Sequence, residues 1–255
     1  MSGEQPAYEI STRQLTPESP WKWINKGWAD IWKDPLLSLG YGFTFVMAGF
    51  GINYLLWEAG LSAMVPVAVG AFALVGPMMA IGLYEMSRRH ESGEKYSAFD
   101  IIFVKAKSPL HIAYIGFIVM FALLVWIRIA IVLYALFVSS TYMPLSNFTE
   151  FVFETPQGLM MLVVGTAVGG VIAFAIFAMT AFSIPLLLDR KSNVLDAVIA
   201  SMKVIKDNPG ACFLWAWMIV LLIAFGAATV LVGLMVVFPL LGHATWHAYR
   251  DVFDQ

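Results

Sequence analysis

Residues 110–138 of the chain read LHIAYIGFIVMFALLVWIRIAIVLYALFV, and Arg128 is the only lysine or arginine among them. A helix needs roughly 20 mainly apolar residues to cross the hydrocarbon of a bilayer. Hydrocarbon offers the backbone no hydrogen bonds, so such a run predicts a transmembrane helix. Further apolar runs predict five more spans, at residues 36–57, 61–86, 159–188, 211–227 and 229–249.

The composition indicates the same class of protein. Of the 255 residues, 60% are hydrophobic and only 13% are charged. Soluble domains carry about 25% charged residues, so these few charges could not cover a water-exposed surface. The net charge of −2 provides no basic field for nucleic acid. We therefore predict an all-α polytopic membrane protein whose partner is the lipid bilayer, with no nucleic acid partner.

The last two spans are predicted from one uncharged stretch, residues 211–242. This stretch is too long for one ordinary span and short for two. A tight turn near residues 227–229 is the prediction, and one very long tilted helix is the alternative. Two spans also keep Arg250, which follows them, on the same side as the other basic residues.

Basic residues predict the orientation. Fourteen of the fifteen lysines and arginines fall on one side of the predicted spans, and Arg128 is the exception. The loops on the opposite side hold no lysine or arginine, and their charged residues are Glu58, Glu150 and Glu154. Because lysine and arginine are enriched in cytoplasmic loops, both termini are predicted to be cytoplasmic. An even number of spans follows from that placement.

The chain also contains a weak threefold repeat. After a polar tail at residues 1–19, a single membrane domain at residues 20–255 divides into units of about 20–95, 96–192 and 193–255. Each unit has an amphipathic interfacial segment, a proline stop, a span, a turn and a second span that carries a proline. The stops are Pro35, Pro109 and Pro209, and the span prolines, which should kink their helices, are Pro77, Pro185 and Pro239. Chance recurrence of Lys-x-Pro is the alternative.

The amphipathic segments have helical spacing and should lie along the headgroup boundary with the apolar face down. Packing against a soluble partner is the alternative. The apolar positions are Trp21, Ile24, Trp28 and Ile31 in the first segment, Phe99, Ile102 and Phe103 in the second, and Leu195, Val198, Ile199, Met202 and Ile205 in the third.

Arg128 is the first candidate site residue. A charge inside a membrane is costly and is taken as functional by default. Its candidate partners are Glu58, Glu150 and Glu154, which are predicted on the same outer side. The structural alternative is that the long side chain reaches outward to the headgroups or forms a simple ion pair.

The cytoplasmic ends of the proline-bearing spans supply a second candidate site. If the repeat is spatial, Glu85, Asp189, His243 and His247 converge near the inner surface. His243 and His247 share a helix face at i and i+4, which makes them weak candidates for a divalent metal or a proton relay. Simple solvation at helix ends is the alternative. The chain shows no catalytic constellation, so we predict neither an enzyme nor a resident cofactor.

Several motifs resemble those of one bacterial family. They are PLLGHATWHAYR at residues 239–250, PLLLD at residues 185–189, Asp196 with Ala197, and the pattern W-x-D-x-x-x-x-P at residues 28–35. The chain thereby resembles domain of unknown function 2189, a family of predicted integral membrane proteins, over nearly its whole length after about residue 20. The resemblance implies a proteobacterial inner-membrane protein without an established activity.

Some members of that family carry the label of cytochrome c oxidase subunit I. A haem-copper oxidase core needs six histidine ligands, and this chain has four histidines. The resemblance therefore does not imply an oxidase catalytic subunit, although a role beside a respiratory complex agrees with it. We predict a noncatalytic scaffold, accessory or modulator of other membrane components. The alternatives are a small transporter or channel with a path through Arg128, and a haem- or metal-binding protein that uses His243 and His247.

Overall fold

The structure, a computed structural model, describes residues 13–138 and 145–253. These residues form twelve α-helices and one short 3-10 helix at Ser62–Met64, with no strand among them. The α-helices are α1 Ser19–Lys33, α2 Pro35–Glu58, α3 Val65–Met79, α4 Ile81–Ser92, α5 Ala98–Ile102, α6 Pro109–Phe137, α7 Leu145–Glu154, α8 Pro156–Thr180, α9 Ser183–Asp189, α10 Val194–Asp207, α11 Pro209–Ala228 and α12 Leu234–Phe253. The predicted all-α class is confirmed.

Five segments of the described chain are long and apolar enough to cross a membrane. They are Pro35–Glu58, Ser62–Ser92, Pro109–Phe137, Pro156–Asp189 and Pro209–Ala228. The first five predicted spans correspond to these segments. Three of the segments begin at the prolines that were predicted as stops, because proline suits the first turn of a helix, where its missing N–H has no partner to lose.

The predicted sixth span, residues 229–249, is not among these five segments. The helix in this part of the chain, α12, begins only at Leu234, and its second half carries His243, His247 and Arg250. These side chains make α12 too polar for the composition of an ordinary span. Most of its residues are instead buried by protein.

α11 and α12 are two separate helices, as predicted, rather than one long one. The turn between them, at residues 229–233, is held by the Thr229 hydroxyl. It donates to the carbonyl of Gly226 at 2.9 Å and accepts from the N–H of Gly233 at 2.8 Å. The turn is slightly later in the chain than the predicted position near residues 227–229.

Two of the three span prolines lie beside a helix break. Pro77 precedes the break between α3 and α4, and Pro185 follows the break between α8 and α9. The Ser183 hydroxyl donates to the carbonyl of Met179 at 2.5 Å, so a side chain supplies a bond near the second break. Pro239 lies inside α12 without interrupting it.

The chain divides into two compact units. Unit 1 comprises Met1–Val46, Gly76–Phe117 and Phe177–Gln255, and α12 forms its centre, against α1, α4, α9 and α11. Close approach of α1 depends on Gly27, where a Cβ would lie only 2.7 Å from the backbone nitrogen of Ala244. Gly242 of α12 allows equally close contact with Leu83 of α4.

The prediction for α1 assigned its faces only in part. Trp21 and Trp28 are 58% and 45% exposed, as expected for a face toward lipid, but Ile31 is only 1% exposed. Ile31 belongs to a second face with Trp23 and Gly27, and this face packs on α12. The assignment of Ile31 was wrong because α1 has apolar residues on two sides. Trp21 and Trp28 lie on the exposed side, and Trp23 lies on the buried side with Ile31.

The two other amphipathic segments keep their predicted apolar faces exposed. Phe99, Ile102 and Phe103 are exposed at α5, and so are Leu195, Ile199 and Met202 on α10. The opposite side of α10 is buried through Ala197, Ala200, Ser201 and Val204. α10 therefore joins unit 1 by its small residues and presents its large ones outward.

Unit 2 comprises Met47–Val75 and Ile118–Ile176. Its buried centre is small, and the ring of Tyr134 stacks on Phe148 with centroids 6.0 Å apart. The indole of Trp126 donates to the carbonyl of Val67 at 3.1 Å and so ties two helices together. A cavity of about 400 Å³, lined mainly by apolar side chains, lies beside these residues.

Candidate functional site

Asp30 is the centre of a buried polar cluster in unit 1. It belongs to the α1 face that packs on α12, and it is only 1% exposed. Its Oδ1 accepts from the ammonium of Lys33 at 2.7 Å. Its Oδ2 accepts from the Ser87 hydroxyl at 2.7 Å and lies 2.8 Å from Nε2 of His247. A buried carboxylate needs such partners to offset its desolvation.

A line of hydrogen bonds continues from Ser87 to α2. The Oγ of Ser87 lies 2.8 Å from Nδ1 of His243, and Nε2 of His243 lies 3.1 Å from the Oγ of Ser38. The Ser87 hydroxyl donates its single proton to Asp30, so its oxygen accepts a hydrogen bond from Nδ1 of His243. In a neutral His243 ring, Nε2 then accepts from Ser38. All three side chains are fully buried, so the line faces the protein interior.

His247 lies between two carboxylates. Nε2 faces Asp30, and Nδ1 lies 3.3 Å from Oε1 of Glu91 on α4. The other oxygen of Glu91 accepts from the indole of Trp246 and from Nε of Arg250, each at 3.1 Å. Because a carboxylate only accepts hydrogen bonds, a ring between two of them is fully satisfied only when both of its nitrogens carry protons.

His90 approaches Asp30 from α4. Its Nδ1 lies 3.5 Å from Oδ1 of Asp30, and its Nε2 lies 2.6 Å from the hydroxyl of Tyr96. Burial raises the pKa of Tyr96 to about 12, so the phenol keeps its proton at neutral pH. The His90 side chain is 8% exposed, and it extends the cluster toward the segment that follows α4.

The pKa of Asp30 reflects two opposing effects. Burial by itself raises the pKa of this carboxyl because it penalises the charge. The polar contacts of Asp30, of which that with His247 is the strongest, outweigh burial and hold the pKa well below its usual range. Asp30 is therefore an anion at neutral pH, and it stabilises cationic partners around it.

The structure places the four residues of the predicted cytoplasmic cluster in different contacts. His243 and His247 join Asp30, as described. Asp189 instead accepts from the hydroxyl of Tyr249 at 2.8 Å, and Glu85 pairs with Arg88 at 2.8 Å. Within the described ranges, no three His, Cys, Asp or Glu side chains are grouped so that they could hold a metal ion.

Arg128 lies in unit 2 and is exposed. The structure brings it into no ion pair with Glu58, Glu150 or Glu154, as far as the described residues are concerned. These three glutamates are exposed as well. The outward-reaching side chain, which was the structural alternative, agrees better with this placement than an internal pair does.

The sequence reasoning missed Asp30, Ser87 and His90. None of the three was among the candidate site residues. One signal was present: Asp30 lies three residues after Gly27 and seven after Trp23, at the spacing of one helical face. A small residue and a large apolar residue on the same side as an acid indicate a packed face.

The cluster can do two things chemically. It ties α1, α2, α4 and α12 together through charged and neutral hydrogen bonds. It can also redistribute protons, because each of its imidazoles has an acid or a hydroxyl beside both ring nitrogens. The exposed edge of the cluster is Glu91, whose side chain is 31% exposed.

These features define an integral membrane protein with several apolar helices and a buried polar cluster. Residues 64–189 of the chain match the family described as "Predicted integral membrane protein (DUF2189)". No curated protein and no solved structure matches the chain.

The predicted family is thereby confirmed, over a shorter part of the chain than predicted. Of the motifs that carried the resemblance, only PLLLD at residues 185–189 lies inside the matched part. The cluster crosses its boundary, because Ser87, His90 and Glu91 lie inside whereas Asp30 and His247 lie outside.

Proposed function

We propose that this chain is a noncatalytic accessory protein of a bacterial inner membrane, which scaffolds or modulates other membrane components. The observation that carries the proposal is the arrangement of α1, α5 and α10. Each of these short helices buries at least one residue in unit 1 and keeps large apolar side chains exposed. Such faces suit contact with lipid and with a neighbouring membrane protein.

The polar residues of unit 1 support the same proposal. The acids Asp30, Glu85, Glu91 and Asp189 are each engaged with cations, histidines or hydroxyls of the same unit. Asp30, Glu91 and Asp189 join different helices, which favours a rigid body with an apolar exterior, whereas Glu85 pairs with Arg88 of its own helix. A rigid body of this kind is what a scaffold requires.

We further propose six crossings with both termini in the cytoplasm. α12 would be the sixth crossing, shielded by other helices of unit 1, and three units of one amphipathic helix and two spans would follow one another. The distribution of charge supports this topology. Unit 1 contains every lysine and arginine except Arg128, which lies in unit 2.

The alternatives have less support. A transport path through Arg128 would place its charge inside the protein, whereas the side chain is exposed. A haem or metal ligand needs a free ring nitrogen, and both nitrogens of His243 are engaged with serines. A respiratory complex is the first partner to test, because the family label points there.

The test is purification of the tagged full-length chain in a mild detergent, followed by identification of the proteins that accompany it. The decisive comparison uses the double variant Trp28→Ser/Trp32→Ser, which alters the exposed face of α1. The control is Trp57→Ser, which alters an even more exposed tryptophan at the end of α2. We expect a stoichiometric membrane partner with the control and its loss with the double variant.

Retention in alkali-washed membranes checks that both variants are still integral. The proposal is wrong if the chain purifies without a stoichiometric partner, or if the same partner accompanies both variants equally. Deletion of the chain should also lower the amount of the partner complex in membranes.

A further inference from the structure

Two buried ring nitrogens in unit 1 make no hydrogen bond with any described residue. They are Nδ1 of His90 and Nδ1 of His247, on side chains that are 8% and 6% exposed. Buried polar atoms nearly always make a hydrogen bond, so two such nitrogens without one in a single cluster require an explanation. Each faces a carboxylate oxygen, at 3.5 Å from Asp30 Oδ1 and 3.3 Å from Glu91 Oε1.

The chemistry of these contacts depends on one proton. A neutral imidazole carries a single N–H, and in His247 that proton belongs on Nε2, which faces the Asp30 carboxylate at 2.8 Å. Nδ1 of a neutral ring would then direct a lone pair at the lone pairs of Glu91. A second proton, taken from water, changes this repulsion into a charge-assisted hydrogen bond.

We propose that Asp30, His90, Glu91 and His247 form a proton-binding site, which takes up its proton at Nδ1 of His247 and bridges α1, α4 and α12 in the protonated state. Water reaches the site at Glu91, the partly exposed edge of the cluster. His90 differs from His247, because the hydroxyl of Tyr96 can donate to its Nε2 and leave the single ring proton on Nδ1, which faces the other oxygen of Asp30.

The charges around the site act in both directions. The titratable and charged side chains around the site come from four helices and the residues next to them. They are Asp30 and Lys33 from α1, Tyr96 from the segment after α4, and Asp189 and Arg190 from the end of α9 and the residue after it. α4 contributes Glu85, Arg88, Arg89, His90 and Glu91, and α12 contributes His243, Arg250 and Asp251. Lys33 and Arg250 are 51% and 37% exposed, so water screens the cations that oppose proton uptake. The carboxylates of Asp30 and Glu91 lie against the His247 ring itself and favour proton uptake there.

This inference goes beyond the proposed function, because it concerns the chain alone and needs no partner. Protonation would add an ionic bridge between helices that already touch, and unit 1 would become stiffer as the pH falls. An accessory protein with such a site responds to the acidity of the compartment that Glu91 faces.

The test is a histidine titration by NMR of the ¹³C-histidine-labelled full-length chain in lipid nanodiscs. Each of the four histidine signals is assigned by a histidine-to-glutamine variant. We expect His247 to show imidazolium shifts at about pH 5 that give way to neutral shifts at higher pH. Glu91→Gln should lower the midpoint of this titration by about 1 pH unit, which is about tenfold in proton affinity.

Glu94→Gln is the matched control, because Glu94 lies three residues away and contacts Arg88 instead. It should leave the midpoint of His247 unchanged. The proposal is overturned if His247 stays neutral at every pH from about 5 to about 10, or if Glu91→Gln leaves its midpoint unmoved. Should Glu91→Gln not fold, the wild-type titration decides alone, with His111 as the internal reference.

Discussion

Nε2 of His247 lies 2.8 Å from Oδ2 of Asp30, which joins α12 to α1 through a buried contact. The two residues are far apart in sequence. Asp30 also contacts Lys33 of its own helix, so the two contacts together compensate its buried charge. Their contact explains why a helix rich in polar side chains can occupy the centre of unit 1. It also determines which substitutions the fold tolerates.

Asp30→Asn should strongly destabilise the protein. The amide keeps the volume of the side chain but cannot accept at both oxygen positions, so Lys33 or His247 loses its partner. Breaking a buried ionic contact costs about 3–5 kcal/mol in the free energy of unfolding. Denaturant unfolding in mild detergent measures this loss. Asp207→Asn, at an exposed position of α10, is the control and should change stability by less than about 0.5 kcal/mol.

The contribution of Asp30 should depend on pH in a defined direction. Its folded pKa is held below that of an unfolded carboxyl, so the folded state binds fewer protons in acid. The stability it provides is therefore complete above about pH 5 and declines as the pH falls below that value. The difference in unfolding free energy between wild type and Asp30→Asn should shrink between about pH 5 and about pH 3. Growth of that difference between about pH 5 and about pH 3, where the Asp30 carboxylate loses its advantage, would contradict the ionic role of Asp30.

Gly27→Ala should separate α1 from α12. The added Cβ would lie 2.7 Å from the nitrogen of Ala244 and 2.9 Å from the carbonyl oxygen of Leu240, and backbone atoms cannot easily yield. Overpacking of this kind costs about 1–3 kcal/mol, measured as a lower thermal midpoint in detergent. Gly40→Ala on α2 meets open space and should be neutral or slightly stabilising. Equal effects of the two variants would show that the contact does not matter.

Arg128→Leu should not lower stability. The side chain is exposed, and leucine suits an apolar span better than arginine does. Arg250→Leu is the informative comparison, because Arg250 contacts Glu91 at 3.1 Å. This variant should lose about 1 kcal/mol in the free energy of unfolding, since water screens a partly exposed ion pair. Thermal midpoints of the two purified variants give the answer. A loss at Arg128 as large as that at Arg250 would point to a partner for Arg128.

The spans could be predicted from sequence because hydrocarbon demands long apolar helices, and five of the six predictions correspond to such segments. Residues 229–249 are not a sixth such segment because α12 is covered by protein, which tolerates His243 and Arg250 where lipid would not. Within the candidate site, His243 and His247 were identified from their spacing on one helix. Asp30 and Ser87 were missed because their contacts with α12 join distant parts of the chain, which no local pattern records.

The central place of α12 has a consequence for biogenesis. The ribosome makes α1 and α4 well before α12, so Asp30 and Glu91 reach the membrane before His247, which later lies between them. Unit 1 must therefore remain loosely assembled during insertion, held by the translocation machinery or by lipid, and become firm only when α12 arrives. A chain that stops after α11 would expose those acids permanently and should be a target for membrane proteases.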